Sequence, residues 1–165
     1  MGYKKIDIIE ANESHWQGIW KILQPTFESG DTYAYPPGIS ESAAKHYWLE
    51  IPQKTFIAIH GDEVVGVYYI KPNQPGLGSH ICNIGYVVSP DKRGGGIGTQ
   101  LAEHSFQIAK ELGFHAIQAN LVVSTNTKAI KLWQSMGFEI IGTIPNGFNL
   151  KGEKYVDAHI MFKVL

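Results

Sequence analysis

Apolar residues along this chain switch between two spacings, and the switches divide it into strands and helices. Ile6, Ile8 and Ile9 form a β-branched run over residues 4–10. Asn12 and Ser14 then offer caps for a helix that places Trp16, Ile19, Trp20 and Leu23 on one face. Pro25 ends that pattern, and residues 27–38 read as a turn-rich loop holding Tyr33 and Tyr35. The loop is either a packed Ω-like segment or the wall of a substrate pocket. Ser40 caps a second helix in which Ala43, Ala44, Tyr47 and Trp48 recur at helical spacing, before Pro52 stops it. Residues 55–60 and 63–71 are β-rich and joined by the hairpin pair Gly61-Asp62; a Gly/Pro loop over 72–79 leads to a third run, 80–88. These three predict an antiparallel meander.

The second half changes character. Past a cluster of glycines, Leu101, Ser105, Ile108, Ala109 and Leu112 share one helix face, with Gly113 as terminator. Residues 115–123 read as a buried strand, and strand, helix, strand in this order predicts a parallel, right-handed crossover. Asn126 opens a short helix ended by Gly137-Phe138. Residues 139–144 and 155–164 close the chain as strands, around a Pro145-Asn146-Gly147 turn and a bend over 151–154.

Composition narrows the class. At 165 residues and 44% apolar content, one domain over 1–165 with one core is expected. A formal charge of −1 with interspersed signs argues against a nucleic-acid surface, so an anionic ligand would be held locally. The single cysteine, Cys82, excludes an intramolecular disulfide and a multi-cysteine metal site. Seven scattered histidines lack metal-ligand spacing, and no metal is expected. No apolar run has the length of a signal or membrane-spanning segment, which makes the cytoplasm the expected location.

The chemistry concentrates in residues 87–101. Four glycines within five positions, Gly94, Gly95, Gly96 and Gly98, let the backbone turn sharply at the start of a helix. Unpaired helix amides there favour a phosphate, with Lys92 and Arg93 adding charge. Rossmann spacing fails because Thr99 stands where the third glycine belongs, and a P-loop fails because Gly98 is followed by Thr99-Gln100 without lysine.

Arg93-Gly94-Gly95-Gly96-Ile97-Gly98 resembles the pyrophosphate loop, Gln/Arg-x-x-Gly-x-Gly/Ala, of the GNAT superfamily of acyl-CoA-dependent N-acyltransferases. A second segment, Asn126-Thr127-Lys128-Ala129-Ile130-Lys131-Leu132-Trp133-Gln134-Ser135-Met136-Gly137-Phe138, resembles that family's Asn-x-x-Ala-x-x-Leu-Tyr-x-x-x-Gly-Phe. The resemblance implies an α/β (α+β) fold: a twisted mixed sheet of about seven strands flanked by four helices, splayed between two parallel strands, here 80–88 and 115–123. It implies acetyl-CoA as cosubstrate, with its pyrophosphate on Arg93, Gly94, Gly95, Gly96, Ile97, Gly98 and Thr99. The backbone at Tyr86 and Val88 would pair with the pantetheine like an added strand, and Asn126, Lys131 and Trp133 would complete the cofactor site. Asn126 is equally placed to cap its helix, so two roles compete for one amide.

Two departures from the family pattern bear on catalysis. The glutamate that many relatives carry seven residues ahead of the loop proline falls here at Asn83, which takes no proton at neutral pH. The family tyrosine that protonates the thiolate falls at Trp133, no useful acid. Asn83 and Asn120 can both face the gap between the parallel strands, and with their neighbours they resemble the branch that acetylates proline analogues such as azetidine-2-carboxylate. That resemblance implies both as substrate-binding residues acting by orientation, with Tyr33 and Tyr35 walling the acceptor pocket alongside the second helix. Tyr155 offers a phenol from the last strand, His80 stands either as a proton relay or in a surface or packing role, and Cys82 points to the opposite face from Asn83. The expected activity is acetyl transfer from acetyl-CoA to a small amino-acid-like amine by direct attack in a ternary complex. A catalytically degenerate acyl-CoA-binding module and a peptide or protein acetyltransferase are the alternatives. The last strands offer an edge for a homodimer.

Overall fold

The computed structural model describes residues 5–165; Lys4, placed above in the first strand, lies outside them. Seven strands form one sheet in the order β1-β2-β3-β4-β5-β7-β6. β1 (Asp7–Glu10), β2 (Lys54–His60), β3 (Glu63–Pro72) and β4 (Ile81–Val88) make the antiparallel meander expected from their alternation. β5 (Ala116–Val123) runs parallel to β4, and β7 (Lys154–Val164) inserts between β5 and the edge strand β6 (Glu139–Leu150).

The helices cover both faces. On one, α1 (Trp16–Glu28), α2 (Glu41–Lys45) and the turn that follows it bury Trp16, Ile19, Leu23, Phe27 and Trp48 against Ile57, Val67 and Tyr69. On the other, α3 (Ile97–Glu111) packs Ile97, Leu101 and Ala109 on Tyr68, Ile84 and Ile117, and α4 (Thr127–Ser135) adds Ile130 and Trp133. Both faces of β4 are therefore covered, which explains its near-continuous apolar run.

Three local expectations are corrected. Pro25 does not end α1, which continues to Glu28. The extra turn buries Phe27 among Tyr33, Tyr35 and Trp48, and the Thr26 hydroxyl donates to the Ile22 carbonyl at 3.0 Å. Fully burying a Phe is worth about 1.5–3 kcal/mol, comparable to the cost of an interior proline. The second helix is α-helical only to Lys45 and continues as a π turn over His46–Glu50. Pro145-Asn146-Gly147 is no reversal either: β6 runs through it, its register against β7 shifting between Ile144 and Phe148. Asn146 adopts φ 53° there and donates its N–H to the Asp157 carboxylate at 3.0 Å, so turn-forming residues make a bulge.

Candidate active site

β4 and β5 pair only at Ile81 with Ala116 and Cys82 with Ile117, then part. Which β4 backbone groups face the opening follows from the ladder. Ser89 donates its N–H to the Val65 carbonyl, so odd-numbered residues of β4 bond β3 and even-numbered ones point the other way. Backbone N–H and C=O of Ile84, Tyr86 and Val88 are thus turned into the gap, the arrangement needed to pair with a peptide-like arm. The Tyr86 carbonyl already accepts from the Tyr33 hydroxyl at 2.8 Å.

Asn83 sits at the fork and is 7% exposed. Its Nδ2 donates to the Gln118 carbonyl at 3.0 Å, and its Oδ1 accepts from the Tyr69 hydroxyl at 2.9 Å. Gln118 in turn donates from Nε2 to Asn120 Oδ1 at 3.1 Å. One hydrogen-bonded chain therefore links Tyr69, Asn83, Gln118 and Asn120 across the parted strands. A Cβ at Gly85 would lie 2.5 Å from the Tyr69 ring, so only glycine leaves room for the phenol that holds Asn83. Asn120 stands where the β5 register against β7 shifts, between Ala119 and Val122, a bulge that turns it toward the opening.

The opening leads into a cavity of about 940 Å³ lined by both strands, the glycine turn, α4 and the loop that follows α1. At one end the turn enters α3 through Gly96, whose φ of 78° favours glycine and which makes no side-chain cap. The first N–H groups of α3 are therefore left to a ligand, with Arg93, Gly94, Gly98 and Thr99 beside them. Asn126 lines the same cavity, and its Oδ1 accepts from the Ala129 N–H at 3.4 Å, longer than a good hydrogen bond. Capping thus leaves that amide weakly committed. The Trp133 indole lies tilted against the Tyr86 ring, centres 4.8 Å apart, and the Tyr86 hydroxyl meets Ser105 at 2.7 Å. These residues fit a pyrophosphate followed by an extended amide-bearing arm.

Tyr33 and Tyr35 do wall the cavity, but the second helix stands behind them, Trp48 of its π turn packing edge-on to Tyr33 at 5.5 Å. Tyr155 is not brought to the site: it is 68% exposed, paired with Asn149 on the β6–β7 hairpin. Neither Gly95 nor Lys131 lines the cavity. Tyr69, Lys71 and Lys128 line it without having been singled out, because cross-strand register and helix phase, not motif, bring them there. Burial holds the Tyr33, Tyr69 and Tyr86 phenols above their ordinary pKa, so they donate and do not ionise. Cys82 is buried on the α3 side, its thiol pushed up by burial to about 12, and is no nucleophile.

A parted parallel pair with an amide-lined helix entrance at one end and polar side chains at its fork defines a site for an anion continued by an extended, peptide-like arm. The chain belongs to the acetyltransferase (GNAT) family, whose pattern matches residues 16–138, and acetyl-CoA is that family's acyl donor. It is 48% identical over 98 residues to the N-acetyltransferase aca1 of Schizosaccharomyces pombe, a match covering 59% of this chain and 47% of that protein. It is 30% identical over 112 residues to the L-amino acid N-acetyltransferase AaaT of Escherichia coli, covering 67% and 68%. A GCN5-related N-acetyltransferase structure from Kribbella flavida superposes with a TM-score of 0.91 at 36% identity, over 97% of this chain and 98% of that one. This chain thus spans about half of the first relative's length. Among the described residues no helix is long and apolar enough to cross a membrane.

Proposed function

We propose that this chain transfers an acetyl group from acetyl-CoA to the nitrogen of a small amino-acid-like amine, by direct attack within a ternary complex. The carrying observation is the Tyr69–Asn83–Gln118–Asn120 chain at the fork, of which Tyr69, Asn83 and Asn120 line the same cavity as the Gly96 helix entrance. Acetyl-CoA, when bound, supplies an activated thioester. Arg93 and the amides of residues 94–99 would hold its pyrophosphate, Asn126 and the Tyr86 and Val88 backbone its arm. Asn83 and Asn120 orient the acceptor, and neither can take its proton. Catalysis therefore rests on positioning a neutral amine beside backbone N–H groups of β4, with water carrying the proton away.

The resemblance of these two asparagines to the proline-analogue branch makes azetidine-2-carboxylate the first acceptor to try. One domain, a cytoplasmic location and a homodimer formed along the exposed β6 edge, where Ile141 is 57% exposed, complete the reading. Mixing the protein and acetyl-CoA with azetidine-2-carboxylate, free amino acids and a lysine peptide tests it by thiol release. Saturable release with the small acids supports the proposal. Release with the peptide alone, or tight CoA binding without turnover of any amine, overturns it.

A further inference from the structure

Among the described residues four cationic side chains line the cavity, Lys71, Lys92, Arg93 and Lys128, and no aspartate or glutamate does. Three lie on the two elements already placed at the donor site. Lys92 and Arg93 lead into the glycine turn, and Lys128 lies in the first turn of α4. Lys71 belongs to neither. It stands on β3 directly across from Asn83, and by strand alternation it shares a face with Tyr69 and Asn83. Its Nζ lies 5.3 Å from the centre of the Tyr69 ring, whose hydroxyl holds Asn83. Among the described residues no carboxylate lies within ion-pair distance of it, whereas Lys45, Lys54 and Lys92 each meet a glutamate.

We propose that Lys71 is a specificity residue that selects acceptors carrying a carboxylate next to the amine, by pairing with that carboxylate at the fork. The inference rests on the small-acceptor reading above and gives it a chemical class. A half-buried cation without a counter-ion attracts an anion and repels an ammonium that brings none. An α-amino or α-imino acid satisfies Lys71 with its carboxylate while Asn83 and Asn120 meet its nitrogen. Polyamines and amino sugars, which bring only positive charge, meet the same lysine as a barrier. The cation also disfavours the protonated form of a nearby amine, which helps a site whose fork residue takes no proton.

Kinetics with a matched pair of acceptors tests this: azetidine-2-carboxylate and its carboxamide, which keeps the ring nitrogen and loses the charge. The ratio of their kcat/KM values is read within each protein preparation, so a partly unfolded variant cannot imitate a change. The wild type is expected to favour the acid. Lys71→Met should lower the ratio roughly tenfold or more through the KM of the acid, the size of one lost charge-assisted contact. The KM for acetyl-CoA should not move, and Lys71→Arg should keep the preference. An unchanged ratio in Lys71→Met, or an equal loss for both acceptors, overturns the role of Lys71 while leaving the acetyltransferase reading intact. No turnover of either acceptor by the wild type overturns the amino-acid reading and the role of Lys71 with it.

Discussion

The side-chain amide of Asn83 donates to the backbone carbonyl of Gln118, at 3.0 Å, just where β4 and β5 stop pairing. A parallel ladder would have offered that carbonyl a backbone N–H. The carboxamide takes its place and satisfies the last β5 carbonyl before the gap, so one side chain both bridges the parting strands and lines the cavity between them.

Asn83→Leu should therefore affect stability and activity together. It strands the Gln118 carbonyl and the Tyr69 hydroxyl, a loss of about 1–3 kcal/mol, visible as a drop of roughly 3–10 °C in Tm. Asn120→Ala should separate the two effects. Asn120 is exposed and bonded only through Gln118 Nε2, so stability should stay within about 0.5 kcal/mol while the KM of the acceptor rises. Thermal unfolding beside initial-rate kinetics reads both.

Substitutions at the glycine turn should act on the donor alone. Gly96→Glu puts an anion and a strained φ of 78° at the mouth of α3, and Arg93→Glu reverses the neighbouring charge. Each should raise the KM for acetyl-CoA about tenfold or more and leave that of the acceptor nearly unchanged. Calorimetric titration with CoA checks the binding half directly.

The rate should rise with pH in step with deprotonation of the acceptor. Among the described residues no carboxylate or histidine lines the cavity, and its phenols are held protonated by burial. A plot of log kcat/KM should climb with a slope near one up to the acceptor's own pKa, with no enzyme inflection between about pH 6 and 9. Repeating the profile with acceptors of different amine pKa should move the plateau with the acceptor.

Stability should fall steeply above about pH 10. Tyr33, Tyr68, Tyr69 and Tyr86 have raised pKa values chiefly because burial penalises the phenolate. The unfolded chain then loses protons at a pH where the native one keeps them, so their contribution is whole below the unfolded phenol pKa, near 10, and is lost as pH rises through the native values. His104 acts at the other end: burial lowers its pKa, so stability is lost as pH falls below about 6.5. Denaturant midpoints across this range check both limbs.

Much of this was legible before the structure. The glycine turn, the crossover and the partner segment at Asn126 are local patterns, and local patterns carry their own physics. Asn83 and Asn120 were legible as residues facing a gap, but their coupling through Gln118 was not, since it depends on a β5 bulge that no single residue announces. Tyr155 failed for the same reason in reverse: strand membership was right, yet the β6–β7 hairpin carries it away from the fork. Lys71 became visible only when register set it opposite Asn83.

The most direct measurement follows a labelled acetyl group. Acetyl-CoA carrying a heavy-isotope acetyl is incubated with the protein and azetidine-2-carboxylate, and mass spectra are taken of both the small-molecule products and the intact chain. The account predicts the label on the acceptor nitrogen, in step with free thiol, and an unmodified protein. Label retained on CoA, or found on Cys82, would contradict it.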